Sequence, residues 1–259
     1  YRAPSSGFDP PAVPGLGRLA ASAVAASNPI TGTSLSAFIR QIGGRLSVGA
    51  FPESVSVSVL VPANRAADAV RALTRSYFAP VLSDAGFALA RQAALEDRAV
   101  RGFDRGARIT DAIYATLFAA GPAKFPPYSS RGALATLSVD TVRAYAERAF
   151  RPANAVLVAT GAVDATVLAA ALPGREGALP GAEPPLLETL AGAADPVQVA
   201  GPEAGFGFGW AGPAITDERE ATALDFIADY LFYPETGTVQ QAVRDSGTSL
   251  TGSYVTYHD

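Results

Sequence analysis

From Gly15 to Ser34 the chain reads GLGRLAASAVAASNPITGTS, with Leu16, Leu19, Ala23 and Val24 at the spacing of one helical face. That pattern predicts a helix over about Leu16–Ser27, ended by Asn28-Pro29. Thr33 or Ser34 is placed to cap a second helix, in which Leu35, Phe38, Ile39 and Ile42 form a stripe and Gly43-Gly44 supply the stop. The period then changes from helical to two. Val55, Val57 and Val59 alternate with Ser56 and Ser58 and Val61 keeps the period, so RLSVGAFPESVSVSVLVP reads as a strand pair around FPES. Asn64 is the expected cap of the next helix, whose stripe is Ala67, Val70, Leu73 and Tyr77. Helical patterns follow over about Asp84–Arg105 and Ile109–Ala119, then a Pro-rich loop and the helix SVDTVRAYAERAF. RPANAVLVATGAV reads as a short buried strand leading to another helix.

Helices gathered around a small, largely antiparallel sheet predict an α+β domain rather than a doubly wound one. The expected organisation is an extended segment over 1–14, a domain over 15–172, a linker over 173–196 rich in Pro, Gly and Glu, and the beginning of a second domain over 197–259. The last contains VQVAGPEAGFGFGWAGP, read as a strand region, the helices DEREATALDFIADYLF and GTVQQAVRDSG, and a final strand SLTGSYVTYHD. GFGFGW lacks the G-x-G-x-x-G spacing of a nucleotide loop and reads as a strand whose aromatic face packs in a core or between domains. The acidic DERE at 217–220 reads as a helix first turn.

Composition prunes the chemistry. The 259 residues carry a formal net charge of −4, which gives no electrostatic reason to bind nucleic acid or an anionic membrane. Ala153–Leu172 is broken by Gly161 and Asp164, so no membrane span is expected there. There is no Cys and a single His, His258, so the usual zinc sites and His-activated nucleophiles are not available to this chain alone. Lys124 stands in GPAKFPPY without a Ser at the spacing of a Ser–Lys dyad, and His258 has no visible partner. With no Met, Tyr1 is not a translation start. Either a leader was removed, which would place the chain in the periplasm or another extracytoplasmic compartment, or the sequence is a fragment.

The order of these elements resembles the N-terminal half of the pitrilysin/insulinase family of metallopeptidases, which includes the mitochondrial processing peptidases. GLGRLAASAVAASNPITGTS resembles the family's G-L-x-H-x-x-E-H helix and the Gly-Thr turn after it. LSAFIRQIGGRLSVGAFPESVSVSVLVP resembles its Gly-Gly-ended helix and strand pair. FPPYSSRGALATLSVDTVRAYAERAFRPANAVLVATGAVD resembles its Pro-Tyr loop, Leu-Ser-capped helix and Pro-x-Asn strand. The resemblance covers about residues 15–165, and FGWAGPA with the later helices resembles the start of the family's second half. It implies a two-domain clamshell of which this chain holds one complete half and the start of another.

In the family two His four apart bind zinc and the Glu before the second is the general base. The positions that match are Arg18, Ala21 and Ser22, which supply a permanent cation, a methyl group and a poor ligand. The third ligand, a Glu on a later helix, matches Glu96, with Asp97 as second choice. If Arg18 and Glu96 face each other, an Arg–carboxylate ion pair is the natural replacement for the metal; the alternative is two solvent-facing helix charges. A substrate-holding Arg and Tyr of the family's second half match Arg244 and, displaced by three from Thr251, Tyr254. The implied cofactor is none, because the zinc ligands are gone.

The resemblance therefore implies a non-catalytic subunit that pairs with an active zinc-binding homologue to form a chamber for unstructured peptides. Two alternatives stand beside it: a scaffold subunit of a larger assembly, like the core subunits of respiratory complexes, and a divergent active metallopeptidase.

Overall fold

The segment that opens the domain becomes α1, Leu16–Ala26, and nearly all of it lies inside the protein. Leu16, Leu19, Ala20, Ala21, Ala23, Val24 and Ala25 are buried, so this helix is central and its buried face is wider than the Leu16/Leu19/Ala23/Val24 stripe predicts, leaving only a narrow face at Arg18, Ser22 and Ala26. The computed structural model describes residues 13–27, 32–51, 54–120, 124, 131–172, 189–192, 196–201, 205–213, 216–233 and 236–247. The expected strand SLTGSYVTYHD and nearly all of the 1–14 segment lie outside them.

Ser34, not Thr33, caps α2, Leu35–Gln41: its hydroxyl accepts from the Ala37 amide at 3.2 Å. Gly43 ends that helix with φ +80°, and the Gly44 amide reaches back to the Ile39 carbonyl at 2.8 Å. The strand pair is β1, Arg45–Ala50, antiparallel to β2, Val55–Leu60, with Arg45 opposite Leu60 and Ala50 opposite Val55. Val55, Val57 and Val59 turn toward the core as the alternation predicts.

The helix α3 is Ala66–Phe78. Asn64 does not cap it; a 3-10 turn over Ala63–Arg65 runs straight into the helix, and its backbone bonds take the place of a side-chain cap. The single long helix expected to Arg105 stops at Phe103, giving α4, Asp84–Phe103, and α5, Arg105–Leu117. Asp104 makes the break, because its carboxylate caps α5 by accepting from the Ala107 amide at 2.6 Å. A second ladder pairs β3, Phe118–Ala120, with β4, Thr189–Leu190, antiparallel. Between them come α6, Arg131–Thr136, α7, Val139–Ala149, and α8, Ala165–Ala171. α7 is capped by Ser138, as the Leu-Ser motif predicts.

Two compact units divide between Phe208 and Gly209. In the first, α1 is surrounded by α2, α3, α4, α7 and both strands of the first ladder. A smaller cluster joins Val70 of α3 to Leu168 and Ala171 of α8. The second unit holds α9, Glu218–Phe232, and α10, Thr238–Asp245, packed on each other. Asp217 caps α9 and acids fill its first turn, as DERE predicts.

Two strand expectations fail. Ala155–Thr160 forms no strand and is not buried, with Val156 and Val158 exposed at 68% and 78%. No neighbouring described strand offers it a ladder, and an apolar run without one has nothing to pair its backbone. VQVAGPEAGFGFGWAGP likewise has no strand among its described residues. Its Gly–Phe alternation packs the opposite way from the expectation: the glycines, not the aromatics, face the protein. A Cβ on Gly207 would stand 2.3 Å from Ile109 Cγ2 of α5, so only Gly lets the backbone lie on that helix, and Phe206 and Phe208 point outward at 70% and 56% exposure. Trp210 in the second unit is exposed as well.

Asp164 accepts from the amides of Thr166 and Val167 at 2.7 and 3.3 Å and so caps α8. These bonds favour the carboxylate and lower its pKa from the usual value. Because the folded value is the lower one, the cap's stabilisation is present above the unfolded aspartate pKa of about 3.9 and is lost as pH falls through the folded value. The amide shifts of Thr166 and Val167, followed by NMR through acid pH, are expected to titrate with a midpoint below that of a free aspartate. Asp164→Asn is expected to keep the cap and abolish the titration.

Candidate functional site

On α1 only Arg18, Ser22 and Ala26 are less than fully buried, and Arg18 and Ser22, four residues apart, share a face. That face opens into a cleft of about 250 Å³. One wall comes from α4, with Ala90, Ala93, Ala94 and Asp97, and another from β1, with Leu46 and Val48. The four α4 positions follow the i, i+3, i+4, i+7 spacing of a single helical face, and three of them are alanines, which allow α4 to lie close to α1.

At one end of the cleft the Arg18 guanidinium donates to the Asp97 carboxylate, linking α1 to α4. The pair is partly solvated, with the arginine side chain 22% and the aspartate 51% exposed. Glu96 faces elsewhere: it accepts from Gln92 Nε2 at 2.8 Å, one turn back on its own helix. The carboxylate that meets Arg18 is therefore Asp97, the second choice from sequence. The signal for it is present in the chain, because Asp97 continues the face of Ala90, Ala93 and Ala94 and Glu96 does not. The cleft walls Leu46 and Val48 carry no such signal; nothing but the packing of β1 beside α1 brings them there.

Ala21 does not line the cleft. It is fully buried, and its carbonyl accepts from Tyr77 Oη of α3 at 2.8 Å. Tyr77 is itself buried, and burial pushes its hydroxyl pKa far above the ordinary tyrosine range. It remains a neutral donor across the working pH range, a fixed link between α3 and α1. Tyr77→Phe removes that link and is expected to lower stability by about 1 kcal/mol, read from the midpoint of urea unfolding.

Arg244 lies exposed in the last turn of α10 in the second unit. Thr251, Tyr254 and His258 lie outside the described residues. Lys124 donates to the Ala119 carbonyl at 2.9 Å.

The cleft's donors do not fit zinc. They are the hydroxyls of Ser22 and Ser36, one carboxylate already engaged by a guanidinium, and the guanidinium itself, a fixed cation that repels a metal. Among the described residues no group of three His, Cys, Asp or Glu side chains gathers anywhere. What the cleft offers is an apolar trough beside β1, whose only ladder partner among the described residues is β2.

Residues 136–257 match the family model described as Peptidase M16 inactive domain. This matched stretch, a little under half of the chain, is similar to the inactive domain of the M16 peptidases. Solved structures show a similar fold. The peptidase M16 inactive domain from Pseudomonas fluorescens is 17% identical with a TM-score of 0.50, covering 60% of this chain and 38% of that one. Pitrilysin is 17% identical with a TM-score of 0.51, covering 57% of this chain and 16% of its own. A chain of Complex III2 from Candida albicans, solved with Inz-5 bound, is 11% identical with a TM-score of 0.54 and covers 74% of this chain and 44% of that one. The chain thus spans less than half the length of each structure. No curated protein matches the sequence. The helix-rich α+β fold with small antiparallel ladders is the family's, and the matched model is that of its inactive domain. The description of that model as an inactive domain and a cleft whose donors do not suit zinc point the same way. Among the described residues no helix is long and apolar enough to cross a membrane.

Proposed function

We propose that this chain is a non-catalytic subunit that pairs with an active, zinc-binding homologue and contributes one wall of a peptide-binding chamber. The observation that carries the reading is the cleft between α1, α4 and β1. It keeps an apolar trough beside a strand while its polar end holds an arginine–aspartate pair in place of a metal-binding set. An extended peptide can add to a strand edge and place alternate side chains in such a trough. Catalysis is then the partner's work, and this chain supplies binding surface. No nucleic acid enters this reading.

Native mass spectrometry of the protein isolated from its source, with metal analysis of each subunit, tests it. The expected result is a complex in which zinc resides in a homologous partner and not in this chain. Recovery of the chain free of any homologous peptidase would overturn the pairing. Stoichiometric zinc in this chain, with peptide hydrolysis abolished by chelators, would overturn the non-catalytic reading itself and favour a divergent enzyme.

The likeness to a chain of Complex III2 favours a second reading, a scaffold subunit of a larger assembly. It predicts several dissimilar subunits in the native complex and no protection of the cleft by added peptide. The first reading predicts that an unstructured peptide slows amide exchange along Arg45–Ala50. The compartment is proposed as extracytoplasmic, which fractionation of the source cells would test.

A further inference from the structure

Ala155-Val156-Leu157-Val158-Ala159 reads the same in both directions. The run is open on both sides: Val156 and Val158 are 68% and 78% exposed, and Leu157, which alternates with them, is 46% exposed. Neither the amides nor the carbonyls of residues 156–160 meet other backbone among the described residues. An unpaired apolar edge of this kind is a template for another strand. We propose that a second copy of this chain occupies it, the two runs pairing antiparallel about a two-fold axis through Leu157. None of these residues lines the cleft, so this contact is separate from the homologous partner proposed above.

A two-fold contact needs a surface complementary to itself. With Leu157 on the axis, Leu157 faces its own copy, Val156 faces Val158 of the other chain and Ala155 faces Ala159. Apolar side chains thus oppose apolar ones at every place, with β-branched valines flanking the centre, where cross-strand pairs contribute most. A slip of two residues would set Leu157 against Ala155 or Ala159 and lose this match. The run is also bounded. A 3-10 turn over Pro152–Asn154 precedes it, Ala155 is already extended at φ −109° and ψ 137°, and Gly161 ends it with φ +109°.

Charge agrees with the antiparallel orientation. No charged residue stands between Arg151 and Asp164. Antiparallel pairing brings the Arg151 end of each copy to the Asp164 end of the other, opposite signs at both ends, whereas parallel pairing would set like against like. Within the run there is no lysine, glutamate or proline of the kind that keeps sheet edges apart. A ladder this short predicts a reversible dimer, not a permanent one.

Analytical ultracentrifugation of the purified full chain tests the dimer, whose fraction is expected to rise with concentration. Val156→Lys/Val158→Lys opposes lysine to lysine and is expected to sediment as a monomer with the parent's melting temperature, because both positions are exposed. Val156→Glu/Val158→Glu alone is expected to do the same, and a mixture of the two double variants to dimerise again. The chain has no Cys, so an introduced one reports the register. Leu157→Cys is expected to form an intermolecular disulfide on mild oxidation, since directly opposed residues lie about 4.5–5.5 Å apart between Cα atoms. Val156→Cys lies diagonally from its own copy, about 7–8 Å away, and is expected to link poorly to itself but readily to Val158→Cys when the two are mixed. A parent chain that stays monomeric at every concentration would overturn the proposal. So would a lysine double variant that still dimerises, or Val156→Cys that links to itself as fast as Leu157→Cys. A monomer whose amides at 156–160 gain exchange protection only on adding an unstructured peptide or a homologue would overturn it too, and give the edge to that partner.

Discussion

Phe150→Ala is expected to lower stability by about 3–5 kcal/mol. Phe150 follows α7 and is almost completely buried. Its ring meets the edge of Tyr77 at a centroid distance of 5.4 Å and an interplanar angle of 83°, and Tyr145 at 6.3 Å and 82°. These perpendicular contacts add to the area it removes from water. The truncation leaves a ring-sized cavity at the junction of α3 and α7, bounded by side chains that α1 holds in place. Urea unfolding followed by far-UV circular dichroism reads the effect as a lower midpoint with an unchanged slope. Phe150→Leu, which keeps most of the volume, is expected to cost much less. If the two variants lose stability equally, the perpendicular ring contacts and not the filled volume hold this junction.

Gly86→Val is the second change with a large expected effect. A Cβ at Gly86 would stand 2.2 Å from Ser27 Oγ and 2.9 Å from both the Ser27 Cα and its amide nitrogen. Backbone at that distance cannot swing aside, so α4 must move off the end of α1. Ser27 is fully buried and fixes the crossing: its hydroxyl donates to the Ala23 carbonyl at 2.7 Å and accepts from the Ser83 amide at 3.0 Å. Ser83 in turn caps α4 through the Gly86 amide at 3.0 Å. Overpacking of this kind costs about 1–3 kcal/mol, and a branched side chain at a backbone contact belongs at the upper end. The cleft depends on the same crossing, since α1 and α4 are two of its walls. Gly86→Val is therefore expected to alter exchange protection along Ala90–Asp97 as well as lower the melting temperature. Gly102, on the same helix with open space around it, is the control, and Gly102→Ala is expected to be neutral or slightly stabilising.

The most local features are legible in the amino-acid sequence. Ser34 and Ser138 cap helices because a short hydroxyl side chain reaches an amide three residues on, which no distant contact alters. The Val55–Val59 alternation shows which side of β2 is buried, because side chains in a strand alternate by covalent geometry. The motif positions 18, 21 and 22 and their lack of zinc-binding chemistry are equally plain, since a residue's donor atoms belong to the residue.

Other features require the packed chain. Leu16, Leu19, Ala23 and Val24 give α1 one apolar face, but alanines are small enough to be buried on any side, and only the arrival of α3, α4 and α7 puts Ala20, Ala21 and Ala25 inside too. Phe206 and Phe208 read as the buried side of their segment because aromatics are usually the larger gain on burial. The close approach of the backbone to Ile109 reverses this, giving the inner side to the glycines. Val156 and Val158 mark the limit from the other direction: an apolar run is strand only where a ladder partner exists, and that is a property of the whole fold. Arg18 itself is readable, but its meeting with Asp97 rather than Glu96 turns on which face of α4 lies against α1. Sequence determined which chemistry this chain lacks, because that is a matter of side-chain atoms. Tertiary structure decided which of the remaining groups meet, because helix faces are assigned by their neighbours.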